Sequence, residues 1–402
     1  MTDAALRASR PVYQNTTYIV IFAASFCHLI NDVLQSLLAA IYPMLKADFG
    51  LAFWQIGLLT FTFQVTASLL QPAIGLAIDK RPMPNSLPVG MLASLLGLLL
   101  LAFASTYPML LCGAGLIGIG SAIFHPEASR VARMASGGRF GMAQSVFQVG
   151  GNFGSAIGPL LAAFIIVPRG QDSVAWFALA ALLGMAILFQ VSRWYERQRL
   201  AMVARGGGAN GMPFERRYTT IVLFILMLLT FSKNAYMASI SSYYTFYTIE
   251  RFGVSVQTAQ TLLFVFLGAV ALGTVLGGPI GDRIGRKSVI WVSILGVLPF
   301  SLALPYADLT WTVVLTVIIG VVLASAFPAI VVMAQEMVPG RVGMVAGIFF
   351  GFAFGMGGIA AALLGVLADA RGIEYVYWVC SFLPAVGLLC VFLPGRATPR
   401  HA

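Results

Sequence analysis

Gly278-Pro-Ile-Gly-Asp282-Arg283-Ile-Gly285-Arg286-Lys287 breaks two long apolar runs with a burst of charge. A degraded copy stands earlier in the chain, Gly75-Leu-Ala-Ile-Asp79-Lys80-Arg81-Pro82. In each copy a glycine precedes an aspartate by four residues and a basic residue follows directly, and the aspartates lie 282 − 79 = 203 positions apart. Further matches hold the register. Phe49-Gly50-Leu51 pairs with Phe252-Gly253-Val254 at the same offset, while Phe124-x-Pro126 and Arg139-x-Gly141-Met142 pair with Ala326-x-Pro328 and Arg341-x-Gly343-Met344 at 202. Four matches in register make the chain a tandem of two related halves.

The 402 residues are 59% hydrophobic and 9% charged, where a soluble domain carries about 25% charged residues. No soluble surface could wet so much apolar side chain, so the expected solvent is a lipid bilayer. The net charge of +10 does not indicate nucleic acid, because the basic residues sit singly at the ends of apolar runs. Cys27, Cys112, Cys380 and Cys390 lie in apolar stretches without a CxxC pair, so they read as buried small hydrophobes, with neither disulfide nor metal expected. With no GxxxxGK[ST] loop, ATP-driven pumping is not expected. No nucleophile–base pair stands out, so the expectation is a non-enzyme without a cofactor. Arg7 and Arg10 precede an apolar run too long for a cleaved signal peptide, which reads as a retained first span.

A spanning helix needs about 20 mostly apolar residues. The chain offers twelve such runs, at 17–42, 55–78, 87–105, 108–132, 140–167, 174–194, 218–249, 257–281, 288–306, 310–337, 342–368 and 374–394. They group as six and six around the polar stretch 195–217, whose Gly206, Gly207 and Gly208 suit a flexible linker. The expected domains are therefore a bundle at 1–194, a cytoplasmic linker at 195–217 and a second bundle at 218–402. Of the 24 Lys and Arg, only Lys46, Arg169, Arg251 and Arg371 fall on one side of the implied membrane, Lys233 is intramembrane, and the rest share the other side. The positive-inside rule then puts both termini and the linker in the cytoplasm.

The Gly278–Lys287 stretch resembles the loop motif of the major facilitator superfamily, G-x-x-x-D-[RK]-x-G-R-[RK]. Its aspartate can cap a neighbouring helix N-terminus and pair with arginine, which makes Asp79, Asp282, Arg283, Arg286 and Arg130 candidate gate residues. Gly150-Gly151-Asn152-Phe153-Gly154-x-x-x-Gly158-Pro159 partly resembles the antiporter motif of drug exporters, with Ser145 and Ala162-Ala163 at positions where glycine is expected. Ordinary close helix packing is the competing reading of those glycines. His28-Leu-Ile-Asn31-Asp32, Tyr42-Pro43, Gln71-Pro72 and Phe124-His125-Pro126-Glu127-Ala128 resemble the fosmidomycin-resistance branch of the superfamily. The resemblance implies a proton-driven efflux carrier of the bacterial inner membrane, and a monomer is the separate expectation. Its implied partners are a small-molecule substrate, an anionic phosphonate among the candidates, protons and the bilayer, with no nucleic acid.

Ionisable groups at membrane depth are costly and default to functional candidates. Asp32 falls about fifteen residues into the first span, roughly 22 Å along it and so near the midplane. It is the first candidate for carrying the proton, with His28 one turn earlier as its orienting partner; a static carboxylate is the alternative. Lys233 lies at the same depth in the repeat-related span, aligned with Asn31, while Asn234 aligns with Asp32. An Asp32–Lys233 ion pair across a shared cavity is the expectation, broken by a proton on the acid or by an anion at the lysine. Lys233, Asn234, Asn31, Tyr236, Gln64, Gln148 and Asn152 are the candidate substrate contacts. Tyr236, Ile240, Tyr243 and Tyr247 form a stripe that suits either cavity lining or aromatic packing. His125 and Glu127, on opposite faces around Pro126, are further proton-site candidates, with a local Glu127–Arg130 pair as the competing reading. The expectation is thus an all-α, twelve-helix membrane protein in two six-helix bundles. It exports a drug by proton antiport; a proton symporter or facilitator importing sugars or organic acids, or a membrane sensor, are the alternatives.

Overall fold

The computed structural model describes residues 16–204 and 214–395, and among these all regular structure is helical. Arg7, Arg10, Arg205, Gly206, Gly207, Gly208, Arg396 and Arg400 lie outside the described residues. All twelve predicted spans fall on helices: α1 Tyr18–Ala40, α2 Trp54–Lys80, α3 Ser86–Ala102, α4 Tyr107–Ala135, α5 Phe140–Arg169, α6 Gln171–Ala201, α7 Arg216–Phe252, α8 Thr261–Ile284, α9 Arg286–Tyr306, α10 Leu309–Met337, α11 Val342–Arg371 and α12 Ile373–Phe392. A helix satisfies its backbone internally, which is why an apolar run in lipid takes this form. Phe164, Leu179, Phe264 and Val366 are largely exposed and belong to the lipid-facing belt. The α6 helix runs on past 194, carrying a Glu196–Arg199 ion pair at 2.6 Å.

The repeated Phe-Gly pair is a helix stop. Gly50 and Gly253 hold φ of +61° and +65°, a left-handed conformation that glycine adopts without strain. The halves meet through two related contacts, α2 against α11 and α5 against α8. Each of these depends on glycine: a side chain at Gly75 would collide with the Gly343 carbonyl, and one at Gly278 with the Gly141 carbonyl. A π-helical turn at Val65–Leu69 divides α2. The segment Leu70–Lys80 packs on α11, while Phe53–Gln64 packs on α4 of its own half. The halves are thus joined at the end that carries the α2–α3 and α8–α9 loops. Farther along the helices, Ser155 on α5 and Ser241 and Ser242 on α7 expose polar side chains.

Candidate functional site

α1 buries a compact acid–imidazole cluster against α4 and α5. His28 and His125 are fully buried and Asp32 is 5% exposed. The two imidazoles face each other, Nε2 to Nε2, at 3.1 Å. The Asp32 carboxylate reaches both rings, Oδ2 lying 3.5 Å from His28 Nε2 and Oδ1 3.6 Å from His125 Nε2. Oδ1 also accepts hydrogen bonds from Asn31 Nδ2 (3.1 Å) and Gln35 Nε2 (3.0 Å), and Oδ2 accepts one from Ser155 (3.4 Å). α5 comes this close because its glycines face α1: a side chain at Gly150 would strike the Ser25 carbonyl, one at Gly154 the Leu29 carbonyl, and one at Gly151 the His28 ring. The part of the glycine motif seen in the sequence therefore serves the α1–α5 packing that holds the cluster. The same three side chains are also the group among the described residues whose donor atoms, all within 4.8 Å, could meet at one cation.

The expected Asp32–Lys233 ion pair is absent from this structure. Among the described residues no carboxylate lies within 4.0 Å of Lys233. Its ammonium donates to Asn234 Oδ1 at 3.3 Å and sits 5.4 Å above the Phe327 ring. Between lysine and acid runs an aromatic partition: Phe327 packs on Phe350 with centroids 5.2 Å apart, and Phe350 on His125 at 5.3 Å. The histidines have taken the place expected for the lysine. Four of the candidate substrate contacts present buried polar atoms with no hydrogen-bond partner among the described residues, namely Asn31 Oδ1, Asn234 Nδ2, Gln148 Oε1 and Tyr236 Oη. Gln148 also donates to Asn152 at 3.1 Å, and Asn152 to Thr274 at 3.3 Å, so this polar face of α5 ties the two halves together. Gln64 is half-buried, its amide nitrogen facing Gly358 of α11. The tyrosine stripe is mostly packing: Tyr236 and Ile240 are buried, and Tyr247 stacks on Tyr377 at 4.0 Å. Tyr236 thus belongs to the core of its own half.

At the joined end both motif aspartates cap a helix of the opposite half. Asp79 accepts from the backbone N–H of Gly343 (3.0 Å) and Met344 (2.7 Å) at the start of α11. Asp282 accepts from Gly141 (2.9 Å) and Met142 (2.8 Å) at the start of α5. The degraded first copy therefore makes the same pair of bonds as the intact one. Their arginines differ: Arg286 pairs with Asp282 at 2.9 Å, whereas Arg130 of α4 approaches Asp79 at 3.7 Å and Glu127 at 3.9 Å. Glu127 is fully buried here, and Arg283 is exposed. Arg133 donates to Gln335 at 3.3 Å, and Gln335 to Ser129 at 3.3 Å, which adds a polar bridge from α4 to α10. Among the cysteines Cys112 is exposed, because its face of α4 points away from the protein.

Sequence reasoning missed Gln35, Ser121, Phe147 and Phe350 around the cluster. Ser121 and Gln35 stand one turn from His125 and from Asn31 respectively, a spacing that could have flagged them. Phe147 acts through its carbonyl, which no side-chain pattern reveals.

Two bundles of amphipathic spans around a polar centre, locked at one end by repeated aspartate caps, define a multi-pass membrane carrier. The profile of the Major Facilitator Superfamily matches residues 24–249 and 222–402, and the chain belongs to that superfamily. It is 59% identical to the "Fosmidomycin resistance protein" of Escherichia coli (strain K12), over 96% of this chain and 94% of that one. It is 43% identical to the "Uncharacterized MFS-type transporter YfnC" of Bacillus subtilis (strain 168), over 96% and 95%. Among solved structures it superposes on the superfamily transporter FucP in the outward conformation with a TM-score of 0.73, at 16% identity, covering 94% of this chain and 99% of that one.

Proposed function

We propose that this chain exports a small anionic organic solute, with fosmidomycin as the first candidate, in exchange for protons. The observation that carries the proposal is Lys233: a cation at mid-membrane, over an aromatic ring and without a carboxylate within 4.0 Å among the described residues, is an open receptor for an anion. The orphaned atoms Asn31 Oδ1, Asn234 Nδ2 and Gln148 Oε1 suit a solute bearing both donors and acceptors. The 59% identity to a fosmidomycin resistance protein supports the choice of drug. The cluster of Asp32, His28 and His125 supplies a place for the driving proton, and Glu127 a second buried acid near the gate. In this reading residues 1–194 and 218–402 are bundles that rock about the site, tethered by 195–217. The basic, joined end is cytoplasmic in a bacterial inner membrane, and Asp79, Asp282, Arg130, Arg283 and Arg286 close the gate.

The test uses everted vesicles and proteoliposomes with an imposed pH gradient. Fosmidomycin should move opposite to protons, and reversing the gradient should reverse the flux. Lys233→Ala should raise the KM for the drug and restore drug sensitivity in cells, with Lys233→Arg retaining part of the activity. Movement of the drug in the same direction as protons would instead make the chain a symporter, and an unchanged KM in Lys233→Ala would remove the lysine from the site.

A further inference from the structure

The Asp32 carboxylate is surrounded by donors from Asn31, Gln35 and Ser155, the arrangement of an acceptor. Gln35 turns its amide nitrogen to that carboxylate and so points its Oε1 at Ser121, whose hydroxyl donates to it at 3.0 Å. The Ser121 hydroxyl then has no proton left for His125. Both groups beside His125 Nδ1, the Ser121 carbonyl at 2.9 Å and the Ser121 Oγ at 3.2 Å, are acceptors, so Nδ1 carries a hydrogen. His28 Nδ1 carries one as well, since its partner at 2.8 Å is the Phe147 carbonyl. Two neutral rings in these tautomers would oppose lone pair to lone pair, yet their Nε2 atoms stand at 3.1 Å. That is hydrogen-bond distance, and it requires one proton more than two neutral imidazoles possess.

We propose that the coupling proton is held between Nε2 of His28 and Nε2 of His125, while Asp32 stays a carboxylate and serves as its counter-charge. The proposal rests on the proton-antiport reading and moves the proton from the acid to the ring pair. Loaded, the cluster is one imidazolium beside one carboxylate, with no net charge. Unloaded, it holds one net negative charge and two facing lone pairs in a nearly dry site, so release requires the rings to part. The titratable side chains meeting there among the described residues are His28 and Asp32 from α1 and His125 from α4. α5 contributes the Phe147 carbonyl, Gly151 and Ser155, and α11 the Phe350 ring. A zinc ion fits less well: tetrahedral ligation with Zn–N near 2.0–2.1 Å spaces nitrogens about 3.3 Å apart, wider than the 3.1 Å between the two Nε2 atoms.

The chain has three histidines, so His401→Ala leaves only the pair of interest. Nitrogen-15 NMR of the full-length, histidine-labelled protein in nanodiscs should show both Nδ1 atoms protonated. The two Nε2 atoms should share one hydrogen, with a scalar coupling across the N–H···N bridge. As pH rises one proton should leave and both Nε2 signals should move together. In proteoliposomes His28→Gln and His125→Gln should lose the gradient-driven flux, whereas Asp32→Asn should recover it when the driving pH is lowered. The proposal is overturned by a spectrum with a bare Nδ1 on either ring. It is equally overturned by gradient-driven flux that survives both histidine variants but is lost in Asp32→Asn at every pH, or by equimolar zinc chloride capturing both Nε2 atoms. Wild-type proteoliposomes without proton–drug exchange would end the antiport reading alone, because the NMR reads the shared proton independently of transport.

Discussion

At mid-depth the two halves use equivalent positions for opposite chemistry. Asn31-Asp32 on α1 aligns with Lys233-Asn234 on α7, yet the acid is wrapped by histidines and amides while the lysine, among the described residues, meets an amide and an aromatic face. Separation by Phe350 and Phe327 keeps the two charges from quenching each other, so an anion at Lys233 need not compete with a local carboxylate. The acid side depends on the smallest residue beside it. A methyl group at Gly151 would land on the His28 ring and 2.9 Å from Asp32 Oδ2. Gly151→Ala should therefore part the rings at a cost of about 1–3 kcal/mol of stability, the usual size of overpacking. It should lower the melting temperature and abolish gradient-driven export while leaving fosmidomycin binding measurable by calorimetry. Full export by this variant would mean that the rings need not touch.

Among the elements, the two latches are the clearest product of the repeat. Each aspartate sits at the end of one helix and receives two backbone N–H groups at the start of another, where the helix dipole favours an anion. Asparagine in that place keeps an acceptor and loses the charge. A loss of about 1.4 kcal/mol shifts a two-state balance tenfold. Asp79→Asn and Asp282→Asn should each move the protein toward states open at the basic end, measured as longer distances between spin labels on the loops of the two halves. An unchanged distance distribution in both variants would strip the caps of a gating role. The latch partners, Gly141-Met142 and Gly343-Met344, are visible in the sequence as a repeat. Their function is not, because a backbone N–H donor leaves no side-chain signature. The spans themselves were legible throughout, since lipid demands a long apolar run and a run of that length has one shape. The cluster was half legible. Depth along the helix singled out Asp32, His28, His125 and Lys233, but which of them touch depends on how α4 and α5 are rotated against α1. Equal depth in related helices led to the Asp32–Lys233 pairing, and helix rotation replaced it with Asp32 and the two histidines.

For the whole molecule, the proposed rocking of the two halves requires that contacts at the joined end break in every cycle. The bridge from Ser129 on α4 through Gln335 on α10 to Arg133 crosses the halves there, buried at its centre and independent of both aspartate caps. Cysteines at the first two of these positions would lie close enough for a short bifunctional thiol reagent. Cys112 is the exposed native thiol, so Cys112→Ala provides the background. With Ser129→Cys and Gln335→Cys together, cross-linking should halt drug export, and reduction of a cleavable linker should restore it. Each single variant treated with the same reagent should keep its export, which separates locking from mere modification. The cross-linked protein should still bind the drug, because Lys233, Asn31, Asn234 and Gln148 are not members of this bridge. Transport that persists in fully cross-linked protein would rule out rocking of the two halves and leave only a path formed within one bundle.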